Sequence, residues 1–168
     1  ATWTQLWMNP SNDDDTADLL DTAWTLQLFD ISAVADNKSA VKIRWGLRSN
    51  GSDQFGGWNI DDVTLWCAGP EVLYSYDMSS DPGFDYGTGW EFGEAIEGTS
   101  GDDEGAGKDP EEDADGQDDG NIIGYRIGDN YENPMTAASW LTVGPLDFTG
   151  QDNVQLRFMR YLSVVDAR

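Results

Sequence analysis

The chain reads as an all-β sandwich with one long acidic loop and only short helical turns. Three observations point there. Apolar and polar residues alternate with period two over several short runs, which is the pattern of half-buried strands. Eight Trp and 19 Gly in 168 residues suit strands and tight turns. No stretch carries a long helical period, and the aromatics argue against a disordered chain.

The clearest strand is Val41-Lys42-Ile43-Arg44-Trp45-Gly46-Leu47-Arg48. Val41, Ile43, Trp45 and Leu47 form its apolar face, so Ile43 and Trp45 are expected in the core. Trp24-Thr25-Leu26-Gln27-Leu28 reads the same way, with the leucines inward. Val154-Gln155-Leu156-Arg157-Phe158 predicts Leu156 and Phe158 as core residues. Val63, Leu65 and Cys67 alternate with Thr64 and Trp66. Going back from Val63 to Ile60, the phase slips across Asp61-Asp62, which predicts a bulge. Trp58, in phase with Ile60, is expected to anchor the core. Turns are expected at Ser49-Asn50-Gly51, Gly56-Gly57 and Asp81-Pro82-Gly83. Two short helical turns are expected, at Asp14–Asp21 and Ile31–Asp36. Phe29-Asp30-Ile31-Ser32 and Leu146-Asp147-Phe148-Thr149 each lead through a short crossover into an alternating strand. The simplest reading is one local chemistry used twice.

Charge narrows the function. There are 32 acidic and 9 basic residues and no His, a net charge of -23. Such a chain repels nucleic acid and anionic lipid headgroups and attracts divalent cations. No apolar run is long enough to cross a membrane as a helix. Without His, the Ser–His and Cys–His nucleophilic arrangements are impossible. Two carboxylates would suffice for a glycosidase, but acids in polar loops lack the apolar pocket that raises a general acid's pKa. The expectation is a protein that is not an enzyme. Cys67, alone of its kind, is expected to be inert core.

Residues 101–120 hold ten Asp or Glu, one Lys and no large apolar side chain. They read as a solvated loop or as a cation site. Calcium takes six to eight hard oxygen ligands. Asp113-Ala114-Asp115-Gly116-Gln117-Asp118 alternates acids around a Gly, as calcium loops do, although no Glu stands where an EF-hand needs one. Trp58, Trp66, Trp90, Tyr125 and Trp140 are the candidates for a sugar-binding platform, against the alternative that they are core.

Residues Asp30 to Asp36, the strand Val41 to Trp45, and Gly57-Trp58-Asn59-Ile60-Asp61-Asp62-Val63 resemble the closing strands of bacterial MAM-like domains. These are also called choice-of-anchor J domains, with a concanavalin-like jelly roll. Tyr76-Asp77-Met78, Asp81-Pro82-Gly83-Phe84 and Gly89-Trp90-Glu91-Phe92-Gly93 resemble the opening of such a domain. Asn121 to Tyr125, Asp129-Asn130-Tyr131 and Val154 to Leu162 resemble its middle. The resemblance covers most of the chain in permuted order. It implies that residues 1–70 are the second half of one repeat and 71–168 the first half of the next, or one permuted sandwich. It further implies an extracellular or cell-surface tandem array whose copies or adjoining repeats join head to tail. It places the first and last strands side by side, bringing Asp77 to Asp61 or Asp62 as a second calcium position. The function so implied is a structural repeat of a filament or giant adhesin. A polysaccharide-binding module is the alternative.

Overall fold

In the computed structural model, residues 2–9, 18–49, 54–69, 71–98, 107–116 and 120–164 are described. Among these residues, ten strands and one helical turn follow in chain order: β1 (Leu19–Leu20), β2 (Thr25–Asp30), α1 (Ser32–Ala35), β3 (Val41–Leu47), β4 (Gly57–Trp66), β5 (Val72–Tyr76), β6 (Asp85–Tyr86), β7 (Trp90–Glu94), β8 (Asn121–Tyr125), β9 (Ser139–Leu146) and β10 (Gln155–Val164).

They form two antiparallel sheets packed as a sandwich. The larger sheet runs β1-β10-β4-β8-β7, with β2 also paired to β10 and β5 to β4. The smaller runs β3-β9-β6. Each sheet draws strands from both halves of the sequence, and the central β4–β10 pair joins them. Their inner faces are apolar, as alternation requires. Ile43, Trp45 and Leu47 of β3 and Leu141 and Val143 of β9 face Trp58, Ile60, Val63 and Leu65 of β4 and Leu156, Phe158 and Leu162 of β10. Trp45 meets Phe158 edge-to-face across the sheets, with centroids 5.3 Å apart. Cys67 is buried and reduced.

The phase slip on β4 is a bulge. Arg157 pairs with Thr64 and Met159 with Asp61, so three steps on β4 face two on β10. Asp62 takes the extra place with φ 52°. Trp58, Ile60, Val63 and Leu65 therefore all point inward, while Asp61 and Asp62 both stay on the outer side.

Two expectations are corrected. Leu26 and Leu28 point outward, 58% and 60% exposed. Only one face of β2 meets the core, and it turns Phe29 inward to stack on Phe158 at 6.0 Å. The end of the expected Asp14–Asp21 turn is extended: Leu19 and Leu20 pair with Val164 and Ser163. Residues 14–17 lie outside the described part, as do Asn50 and Gly51. Gly57, expected in a turn, opens β4. The Asp81-Pro82-Gly83 turn forms, with the Gly83 N–H donating to Asp81 Oδ1 at 2.8 Å. The repeated crossover chemistry is visible too. Ser32 N–H donates to Asp30 Oδ1 at 3.0 Å and Thr149 N–H to Asp147 Oδ1 at 2.9 Å, the same side-chain turn twice.

Candidate functional site

Three elements bring acids together on the outer face of the larger sheet. The β4 bulge presents Asp61 and Asp62. Val63 pairs with Tyr76, so the next antiparallel positions set Asp77 beside Asp62. Residues 107–116 lie across β4 rather than standing out in solvent. Gly56 N–H donates to Gly107 O at 3.0 Å, Ser163 Oγ to Lys108 O at 3.0 Å, and Trp24 Nε1 to Glu112 O at 2.9 Å. This docking carries Asp113 and Asp115 to the bulge. The acids of the two calcium positions expected from sequence, Asp61, Asp62, Asp77, Asp113 and Asp115, thus lie near one another on the same face of the sheet. Asp118 lies outside the described residues.

Asp61 accepts from Asp62 N–H at 2.7 Å and from Ala114 N–H at 2.9 Å. Burial nevertheless pushes its carboxyl up to about 7, and the neighbouring Asp62 and Asp113 carboxylates add to the shift. Asp62 is raised by burial and by Asp115, against the pull of Arg157; Asp77 and Asp113 raise it further. Asp77 is lowered by the Ser79 hydroxyl and N–H that donate to it. Asp113 Oδ1 accepts from Gly116 N–H at 2.7 Å. The side chains gathered here offer oxygen donors alone, the ligand type of calcium rather than of a thiolate- or imidazole-seeking metal. Among the described residues no three acids already form a coordination shell.

Sequence reading missed a second buried acid under the same segment. Asn59 and Asp109 are 0% and 1% exposed. Asn59 Nδ2 donates to Asp109 Oδ1 at 2.7 Å, and Gly128 N–H donates to Asp109 Oδ2 at 2.9 Å. Among the described residues Asn59 Oδ1 has no hydrogen-bond partner, and it lies over Gly124, where a Cβ would stand 2.3 Å away. Burial raises Asp109 to about 7, against the Asn59 and Gly128 donors, with Asp129 and Glu91 adding to the rise.

These two acids set a pH dependence. Their folded pKa values lie above the ordinary carboxylate value, so the folded chain holds more protons than the unfolded one between about pH 4 and pH 7. Stability from this source is full below that window and lost as pH rises through 7. Acids lowered in the fold, such as Asp77, are ionised in both states above about pH 5. In chelator, the melting temperature should therefore fall from pH 5 to pH 8. Asp109→Asn should flatten this slope. An unchanged slope in that variant would show that Asp109 does not titrate there.

The opposite region is the seam between the edge strands β2 and β3. A cavity of about 1420 Å³ opens there, lined by β3, by Phe29, Leu156 and Phe158, and by residues 2–9. Five of the chain's nine basic residues, Lys38, Lys42, Arg44, Arg48 and Arg160, line it as well. Arg160 points inward and is held by Asp21: Nε donates to Oδ2 at 2.9 Å, Nη2 to Oδ1 at 3.1 Å, and Leu162 N–H also donates to Oδ2 at 3.0 Å. The phase of Arg160 with Phe158 and Leu162 was the available signal. Arg44 lies between Trp3 and Trp140, 3.9 and 3.7 Å from their ring centroids. Of the five aromatics considered for a sugar platform, Trp58, Trp90 and Tyr125 are buried, Trp66 is half-buried, and Trp140 has Arg44 on its face.

No family model matches the chain, and neither the curated proteins nor the solved structures give a match.

Proposed function

We propose that this domain is a non-catalytic structural unit of an extracellular filament or surface adhesin, whose copies join head to tail. The observation that carries the reading is the open seam. Among the described residues no strand pairs with the second edge of β3. Beside that edge lies an open groove of about 1420 Å³, lined by both sheets and by residues 2–9. An unpaired edge invites another chain. A contact between the seam of one copy and a different surface of the next is heterologous, so it propagates instead of closing. The resemblance to MAM-like, choice-of-anchor J repeats supports the same reading.

Calcium belongs to this proposal. Asp61, Asp62 and Asp77, with Asp113 and Asp115 of the overlying segment, would hold it, joining the bulge to that segment and relieving mutual repulsion. At pH 8, calcium should raise the melting temperature where sodium at equal ionic strength does not, because only a ligand bound to the native state stabilises by mass action. Equal melting in both salts would remove the cation.

The assembly reading is tested by sedimentation and electron microscopy of the purified chain. Fibres with an axial repeat of one domain are expected. A chain that remains monomeric at every concentration, and binds a glycan saturably, would transfer the reading to a carbohydrate-targeting module.

A further inference from the structure

We infer that residues 2–9 are an exchangeable strand, and that the seam beside β3 receives the 2–9 segment of a second copy. This deepens the assembly reading and rests on it, by naming which surfaces meet.

The segment already shows the side-chain chemistry of the site. Trp3 stacks on Arg44, and Trp7 packs edge-to-face on Trp58 with centroids 5.6 Å apart. Yet it forms no ladder with β3 among the described residues. Its conformation explains why. In a strand, residues 3 and 7 share a face. Here Trp3 reaches the outer side of β3, where Arg44 and Trp140 lie, while Trp7 reaches the inner side, where Trp58 lies. The segment therefore crosses the edge instead of running along it. The cost is visible on both sides: Trp3, Leu6 and Met8 remain 40%, 41% and 60% exposed, and the cavity stays open beneath. Laid along β3 as a regular strand, the same residues would direct Trp3, Gln5 and Trp7 together into the cavity. Their backbone would pair with the free β3 edge, as in strand addition. Exchange of an identical element between copies is a low-cost route to assembly. The occupant is thus a second copy, supplying apolar side chains to a seam that is apolar within and basic along its rim.

The test uses the full chain and a labelled synthetic peptide of residues 2–9. The peptide should bind saturably and shorten the assemblies seen by sedimentation velocity. A Thr4→Pro peptide, lacking one ladder N–H, and a Trp3→Ala/Trp7→Ala peptide should do neither. The full chain carrying Trp3→Ala/Trp7→Ala should fail to elongate yet still be capped onto parent fibres. If that variant does not fold, the peptide arms on the parent chain decide alone. Fibres that form normally while ignoring the peptide would overturn the strand exchange and leave head-to-tail assembly standing. A parent chain that never assembles but binds the peptide would overturn both, and would assign residues 2–9 to closing their own seam.

Discussion

Asp21→Ala should destabilise the domain by about 3–5 kcal/mol, because it leaves a buried guanidinium with no counter-charge. The argument follows from β10. Arg160 stands in phase with Phe158 and Leu162 on the inner face, where Asp21 supplies its counter-charge through two hydrogen bonds and the Trp7 ring lies 5.4 Å from the guanidinium. The same carboxylate accepts from Leu162 N–H, so a backbone donor is orphaned too. The expected readout is a lower midpoint of denaturant unfolding with an unchanged slope. Combining Asp21→Ala with Arg160→Met should recover much of the loss, since an apolar side chain of similar reach needs no partner in that place. A single variant within about 1 kcal/mol of the parent would show that water, not Asp21, satisfies Arg160.

Trp45→Ala should have an effect of the same size, about 3–5 kcal/mol. Trp45 is one of the side chains by which the three-stranded sheet packs on the larger one, through its edge contact with Phe158. Removing it takes a large ring from a seam that already contains open space, so little collapse can compensate. For a chain of this length the melting temperature should fall by roughly 10 °C. Leu26→Ala and Leu28→Ala are the controls. Both side chains are mostly exposed on the outer face of β2, and each should cost no more than about 0.5 kcal/mol in the isolated domain. Equal losses at Leu26 and Trp45 would reverse the assignment of faces.

The comparison between Trp45 and Leu26 shows what sequence periodicity can carry. On β3 only one face is apolar, so alternation alone places Ile43 and Trp45. The β2 region is apolar on both faces, with Leu26 and Leu28 on one and Phe29 on the other. There the choice depends on Phe158, more than a hundred residues away. The bulge was legible because Ile60 and Val63 have opposite parity and both need burial. The acids were legible as two groups and not as one place, since nothing local says that residues 107–116 lie across β4. For the same reason Asn59 and Asp109 gave no signal: each is an ordinary polar residue until the other covers it. Leu19 and Leu20 looked helical because two residues are too few to show a period, and their pairing with β10 decides their conformation.

The bulge on β4 has a bearing on which residues the fold can spare. Remove Asp62 from the sequence and the remaining order, Trp58, Asn59, Ile60, Asp61, Val63, Thr64, Leu65, alternates without fault. The same four apolar side chains would still point inward. Asp62 is thus a supernumerary residue in an otherwise regular strand, held in a left-handed conformation that a β-carbon disfavours. Burial gains nothing from its presence. Its effect is to set two consecutive carboxylates on one surface of the sheet, which strict alternation forbids. A lineage selected for stability alone could delete it in one step, whereas one that needs adjacent negative charges at this level of the strand has to keep it.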